Sequence, residues 1–268
     1  MAVSIPNSLI KPDTRRYWDL LQVFVQRNLS ARYRGSVLGI FWSLLNPLTM
    51  TGLYTAIFGY TFSEHYNGSI WQYSVAAFTA LIIVGFFSAS TSQALTSIVF
   101  NGGLLNKIRL PMSVFPVATN LSNLVQMAVG PLPLLVVMTL ILSKSFLHVF
   151  ALVLPLAALI MFSLGIGLFV SALYVFFRDL PYFYELVVSV LWISSPVFYP
   201  AKIVPESVKP FLALNPLTSI IESARQIVMT TDPPDLGLIS SALLSSIIVL
   251  GFGWTCFRIW RSQFMDLL

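Results

Sequence analysis

Six stretches of this chain are apolar for long enough to cross a lipid bilayer, at roughly 37 to 62, 72 to 100, 113 to 142, 149 to 177, 182 to 200 and 236 to 257. About 20 apolar residues make one helical crossing, and backbone placed in lipid must satisfy its own hydrogen bonds. No other feature narrows the fold as far. Only 9% of residues are charged and 57% are hydrophobic, with a mean hydropathy of +0.83, whereas soluble domains carry about 25% charge. The expected product is an all-α integral membrane protein with six transmembrane helices, built as a single domain over residues 1–268.

The connections between these stretches hold nearly all the charge: Glu64 to Asn67, Asn101 to Arg109, Lys144 to His148, Arg178 to Asp179, and the long segment from Lys202 to Asp235. With the N-terminus inside, Lys11, Arg15, Arg16, Arg27, Arg32, Arg34, Lys107, Arg109, Arg178, Arg258 and Arg261 fall on the cytoplasmic side. Lys144, Lys202, Lys209 and Arg225 fall outside. That bias fits a multi-pass protein with both termini cytoplasmic. The first apolar stretch is too long for the core of a cleavable signal peptide, so it is expected to act as its own insertion signal. A net charge of +5 suggests nucleic acid only if the basic residues share one polar surface; here they flank apolar segments and read as topology signals.

Two segments outside the crossings have their own character. Residues 15–34 interleave Trp18, Leu21, Phe24 and Val25 with Arg15, Arg16, Arg27, Arg32 and Arg34. At helical spacing this makes a basic amphipathic helix, suited to the membrane surface, and a plain positive-inside anchor is the simpler alternative. The segment 201–235 places Leu212, Leu214, Leu217, Ile220, Ile221, Ile227 and Val228 between prolines. Two short apolar helices fit it; being too short to span, they are expected to form a re-entrant external hairpin beside a water-filled cavity.

Several chemistries are missing. There is no G-x-x-x-x-G-K-[ST] loop to cradle nucleotide phosphates, so any ATP use falls to a partner. The single cysteine, Cys256, builds neither a disulfide framework nor a cysteine metal site. His65 and His148 are the only histidines, and neither has a metal-ligand neighbour at suitable spacing, so no metal and no catalytic residue is expected. The middles of the crossings are nearly free of ionisable groups, against the expectation for a proton-coupled carrier or for an embedded transferase or hydrolase.

Four ordered stretches resemble the polysaccharide-exporter branch of the ABC-2 family of transporter permeases. The first runs from Arg27 through Arg32, Tyr33, Arg34 and Gly35 into Phe41-Trp42-Ser43-Leu44-Leu45-Asn46-Pro47. The second is Asn101-Gly102-Gly103-Leu104-Leu105-Asn106-Lys107-Ile108-Arg109-Leu110-Pro111, followed by Phe115-Pro116; the family more often has Phe where Leu110 stands. The third is Gly165-Ile166-Gly167-Leu168 through Phe177-Arg178-Asp179-Leu180. The fourth couples Ser195-Pro196-Val197-Phe198-Tyr199-Pro200 to Asn215-Pro216-Leu217 and Glu222-Ser223-Ala224-Arg225. The resemblance covers about residues 20 to 262. It implies a homodimer in the bacterial inner membrane, bound to two copies of a cytoplasmic ATPase that holds the ATP and Mg, and exporting a lipid-linked glycan of O-antigen, capsule or teichoic acid type. An exporter of drugs or small lipids, and a membrane-bound glycan-modifying enzyme, remain the alternatives.

Under this reading Leu104, Leu105 and Ile108 form an apolar docking face for the ATPase, flanked by Lys107 and Arg109, closed by Pro111 and assisted by Asn101, Gly103, Arg27, Arg32 and Arg34. Tyr54, Phe58, Tyr60, Phe86, Phe87, Trp192, Phe198 and Tyr199 are candidates for a channel lining, because sugar rings stack on aromatics; a lipid-facing aromatic belt explains them equally simply. Ser195, Pro196, Pro200, Asn215, Pro216, Glu222 and Arg225 are candidates for an external gate, with Glu222 and Arg225 spaced to pair on one helical face. The run Ser88 to Gln93 offers hydroxyls to a glycan or small side chains to helix packing. Asp179 is expected to cap the fifth crossing.

Overall fold

The computed structural model describes residues 12–264 except Asn106, Arg109 and Leu214; for residues 12–14, Phe211 and Ala213 it describes the backbone alone. Helices and short turns make up the described residues, without a strand. In chain order they are α1 (Pro12–Tyr33), α2 (Trp42–Phe62), α3 (Ile70–Ser97), α4 (Gly102–Leu105), α5 (Val114–Val129), α6 (Pro131–Ser143), α7 (Phe146–Ala151), α8 (Val153–Phe176), α9 (Leu180–Ser194), α10 (Lys209–Ala213), α11 (Pro216–Met229) and α12 (Leu236–Trp260).

Three runs are long and apolar enough to cross a membrane: Ile70–Ser97, Phe146–Phe176 and Leu236–Gln263. A fourth appears if α5 and α6 count as one span, although they are bent by 48° at Gly130. Pro131 causes this break, because it lacks the N–H that a continuous helix needs and clashes with the preceding turn. The two remaining expected crossings differ for separate reasons. Helix α2 has 21 residues, but Asn46, Thr49, Thr51, Thr55 and Thr61 dilute its apolar character. Helix α9 has 15 residues, because the chain leaves helical geometry at Ser195-Pro196 rather than running on to Pro200.

Helix α3 sits at the centre and packs on α2, α5, α8, α9 and α11. Its middle, Val75 to Val84, is buried without interruption. Burial on every side explains why this segment reads as uniformly apolar rather than amphipathic. Its start is fixed by Ser69, whose side chain accepts the Gln72 N–H, and Asn215 and Asp235 cap α11 and α12 in the same way. Asp179 does occupy the position before α9 but makes no such side-chain bond. Buried hydroxyls cost little here, since Thr79, Thr91, Thr119, Ser122, Thr139 and Ser246 each donate to a carbonyl one turn back.

The tightest helix contact joins α8 to α12. A Cβ added at Gly253 would stand 2.0 Å from the Gly165 carbonyl oxygen, and one added at Gly165 would stand 2.7 Å from Leu250 backbone. Small residues let helices in lipid approach this closely. Gly253→Ala is therefore expected to force the pair apart at an overpacking cost of about 1–3 kcal/mol. Thermal unfolding in detergent should show a lowered midpoint, while Gly251→Ala, with nothing within 4 Å of the new carbon, should leave it in place.

Candidate functional site

Three neighbourhoods collect the residues of interest. The first is the end of the bundle that carries α1. The apolar side of α1 puts Leu21 and Phe24 into a buried cluster with Ile98, Leu105, Val114 and Phe115, and the Phe24 and Phe115 rings meet edge to face at 4.9 Å. Polar contacts lock the helix along α5. The Tyr17 hydroxyl lies 3.3 Å from Ser113 Oγ, and burial pushes its pKa up while the Ser113 contact pulls it down. Asn28 Nδ2 donates to Ser122 Oγ at 3.4 Å. Arg27 Nη1 donates to Asn101 Oδ1 at 3.0 Å, which fastens α1 to the loop before α4.

This geometry changes the expected docking face. Leu105 is 4% exposed and belongs to the chain's own core. Leu104 is half-buried against that cluster, and Asn101 is held by Arg27. Gly103, Lys107 and Pro111 are exposed, as is Ile108 at 49%. Phe100, unremarked in the sequence, is exposed at 77% beside them. The helical portion is a single turn, α4, so the three leucine and isoleucine side chains do not share one face. Arg109 lies outside the described residues. Arg34 and Arg32 are both exposed, and the Arg32 guanidinium reaches amide oxygens on α3 and α5.

The second neighbourhood is a cavity of about 620 Å³ between the end of α1 and helices α2, α3, α5 and α9. Arg32 marks one end: its Nη1 donates to Asn123 Oδ1 at 3.0 Å and to Gln126 Oε1, and its Nη2 donates to Gln93 Oε1. Trp42, Asn46, Met50, Phe86, Ser88 and Trp192 also line the space. Of the expected channel aromatics, Phe86 and Trp192 reach this cavity. Phe87 does not; it is 1% exposed and stacked on Phe162 at 5.1 Å in the core. Ser90 and Thr91 are likewise core residues, so within that run only Ser88 and Ala89 face the cavity.

The third neighbourhood is the turn at residues 195–200, at the opposite end of the bundle. Arg225 is buried, and its guanidinium donates to two carbonyls, Nε to Ala76 O at 2.9 Å and Nη2 to Val197 O at 2.8 Å. It makes no ion pair with Glu222, the partner suggested by their spacing. The Coulomb energy of such a pair is offset by desolvation, whereas carbonyls left by the break at Ser195 require a donor. Asn215 Nδ2 bonds Ser195 Oγ at 3.0 Å, and the Tyr73 hydroxyl bonds Phe198 O at 3.0 Å. The turn is thus tied to α3 and α11 by side chains. It carries Phe198 into an aromatic series: Trp192 to Phe198 at 6.5 Å, Phe198 to Tyr54 at 3.8 Å, and Tyr54 to Phe58 at 6.2 Å. Tyr199 instead returns its hydroxyl to the last carbonyls of α9, Ile193 and Ser194. Tyr60 is 87% exposed, away from the series.

Sequence reasoning missed the amide cluster around Arg32. Its signal was present: Asn123 and Gln126 stand one turn apart in a segment otherwise read as a plain crossing. Among the described residues, no group of three or more His, Cys, Asp or Glu side chains is placed to hold a metal ion.

Residues 19–229 match the ABC-2 type transporter family. An O-antigen export system permease protein of Myxococcus xanthus is 30% identical over 256 residues, covering 94% of this chain and 96% of that protein. A protein of the same description from Klebsiella pneumoniae is 28% identical over 256 residues, covering 94% and 95%. A polysialic acid transport protein of Escherichia coli is 26% identical over 204 residues, covering 76% and 78%.

The two carbonyl bonds of Arg225 give a direct test. Arg225→Met should strip the donor from Ala76 and Val197 and destabilise the protein by about 1–3 kcal/mol, seen as reduced folded yield and a lower unfolding midpoint in detergent. Glu222→Gln, which breaks no bond of the turn, should shift stability by less than about 0.5 kcal/mol.

Proposed function

We propose that this chain, which belongs to the ABC-2 type transporter family, is the permease subunit of an exporter that moves a lipid-linked polysaccharide across the bacterial inner membrane. The observation that carries the reading is likeness to O-antigen export permeases over 94% of the chain. The geometry adds physical support. The cavity and the aromatic series present ring faces, hydroxyls and amides, which suit sugar rings, and the cavity lining contains no acid or histidine. Six crossings are retained in this reading, with α2, α5–α6 and α9 completed by a partner copy and by lipid. Helix α1 is the interface helix, and α10 and α11 form the re-entrant hairpin. Exposed apolar side chains on α2 (Leu53, Ile57) and α9 (Leu186, Val190, Ile193) give a homodimer surface to bury.

Energy enters through a separate ATPase, which binds ATP and Mg and docks at the end of the bundle carrying α1. Phe100, Gly103, Lys107 and Ile108 form the exposed part of that surface. Because Arg27 ties Asn101 to α1 and α1 packs along α5, a push on this loop reaches the crossings through both its covalent ends and α1.

Two experiments test these assignments. Ile108→Asp is expected to abolish surface display of the glycan and to release the ATPase on co-purification while the permease stays folded. Leu105→Asp should instead lower folded yield, since it buries a charge in the cluster with Leu21 and Phe24; full export with Ile108→Asp would move the docking site elsewhere. For orientation, a cysteine at Ser207 should react with an impermeant thiol reagent in intact cells and one at Gly103 should not; the opposite pattern would invert the protein in the membrane.

A further inference from the structure

Two spaces lie end to end along α3 and α5. The cavity of about 620 Å³ is lined by α3 between residues 81 and 89 and by α5 between residues 123 and 127. A groove of about 450 Å³ continues it toward the end of the bundle that carries α1, lined by residues between 93 and 101 and by α5 between residues 115 and 119. Helix α1 forms the third wall of the groove through Phe24, Arg27 and Asn28. Among the described residues, Arg32 alone lines both spaces. A route from one to the other runs past this side chain.

The bonds of Arg32 cross that boundary. It stands in the last turn of α1, and its guanidinium donates to Asn123 Oδ1 and Gln126 Oε1 on α5 and to Gln93 Oε1 on α3. Gln93 belongs to the lining of the groove, Asn123 and Gln126 to that of the cavity. Asn123 Nδ2 also donates to Gln93 Oε1 at 3.3 Å, so the amides make a floor from α3 to α5 and Arg32 lies across it. The Tyr33 hydroxyl rests against the same guanidinium. A planar fork of donors spans acceptors on two helices, which a lysine ammonium does not. The tie is nevertheless easily undone, because Arg32 is exposed, its three amide partners are neutral, and water competes for an exposed donor.

The chain next to Arg32 passes from α1 to α2 through two left-handed glycines. Helix α1 ends at Tyr33 and α2 begins at Trp42; between them Gly35 and Gly39 hold φ of 77° and 50°, values that favour glycine. Farther back, α1 is fastened by Tyr17, Arg27 and Asn28. Resting on the permease reading above, we propose that Arg32 is a latch: laid across Gln93, Asn123 and Gln126, it closes the way from the groove at the cytoplasmic end to the inner cavity, and withdrawal of the last turn of α1 opens it. Little travel is required. A hydrogen bond is lost by about 3.6 Å, so a retreat of roughly 1 Å undoes the 3.0 Å bond to Asn123. The amides are positioning residues that receive the guanidinium in the closed state.

The test reads the passage itself, without transport. Inside-out membrane vesicles carrying the full-length chain, with Cys256→Ser removing the single native cysteine, receive a small, neutral, membrane-impermeant maleimide. A neutral reagent is used so that changing the charge of Arg32 does not alter its attraction. Ala89→Cys reports on the cavity and Thr96→Cys on the groove. With Arg32 in place, Ala89→Cys should react slowly and Thr96→Cys fast. Arg32→Ala should speed the reaction of Ala89→Cys about tenfold or more and leave Thr96→Cys unchanged. Arg32→Lys, which keeps the charge but not the fork, should speed it about threefold or more. Gln126→Glu gives the guanidinium a carboxylate and tightens the latch: Ala89→Cys should slow about threefold, and surface display of the glycan should fall although the unfolding midpoint does not, which a merely structural tie would not produce. Should Arg32→Ala fail to fold, Arg32→Lys and Gln126→Glu carry the comparison. The proposal is overturned if Ala89→Cys reacts at one rate whichever residue replaces Arg32, or if it reacts as fast as Thr96→Cys in the otherwise intact protein. The permease reading fails separately, if cells lacking the gene still display their surface glycan.

Discussion

Helix α3 is enclosed by six other helices, α6 among them, and that enclosure sets the rest of the structure. A helix buried on every side cannot carry charge or a wide polar stripe, so its neighbours supply whatever polarity the bundle has. Hydroxyls inside it bond their own helix, as at Thr79 and Thr91, and the polar groups that bond other elements stand toward its two ends or on the helices that face it: Gln93 near one end, Tyr73 and the Ala76 carbonyl near the other, with Asn123 and Gln126 opposite on α5. Each of the three functional neighbourhoods is built against one stretch of this helix.

The two ends solve different problems. Around 195–200 the difficulty is backbone, because the chain leaves the helix at Ser195 and its carbonyls must be satisfied where Ser195 and Val197 are buried. Side chains from distant elements do this: Arg225 for Val197, Tyr73 for Phe198, Asn215 for the Ser195 hydroxyl. The result is a rigid turn that holds Phe198 against Tyr54. At the other end the problem is charge. A helix rich in arginine packs along an apolar bundle, and Arg27 and Arg32 are accommodated by amides rather than by carboxylates. Amides orient a guanidinium cheaply and leave it available.

Much of this was legible in the residues. Continuous apolar runs announced the bundle, and the basic, aromatic-rich segment before them became α1. Prolines and Asn215 marked the short helices between α9 and α12. What the sequence did not disclose was pairing across space. Glu222 and Arg225 have the spacing of an ion pair, yet a carbonyl of α3, distant in the chain, outcompetes the local carboxylate. Leu105 and Ile108 looked equivalent in an apolar loop face, but a single turn of helix sends one into the core and leaves the other outside. Phe86 and Phe87 are neighbours with opposite fates, because adjacent positions on a helix point about 100° apart and only the packing of α8 decides which is covered. Helix α9 ended early for a reason visible beforehand, Pro196, whose disfavour for helical geometry in the preceding residue outweighed the hydrophobicity that continues to Tyr199.

The break between α5 and α6 divides one apparent crossing into two mechanical parts with separate loyalties. Helix α5 is laced to α1 through Tyr17, Asn28 and Arg32, while α6 rests on α7 and α11 at the far side. A straight rod there would carry any tilt of α1 directly into the contacts of α6. With a 48° elbow at Gly130, a displacement of α1 would be passed to α5 through those bonds and would meet a joint before it reached α6. One proline thus uncouples the half tied to the amphipathic helix from the half that rests on α7 and α11.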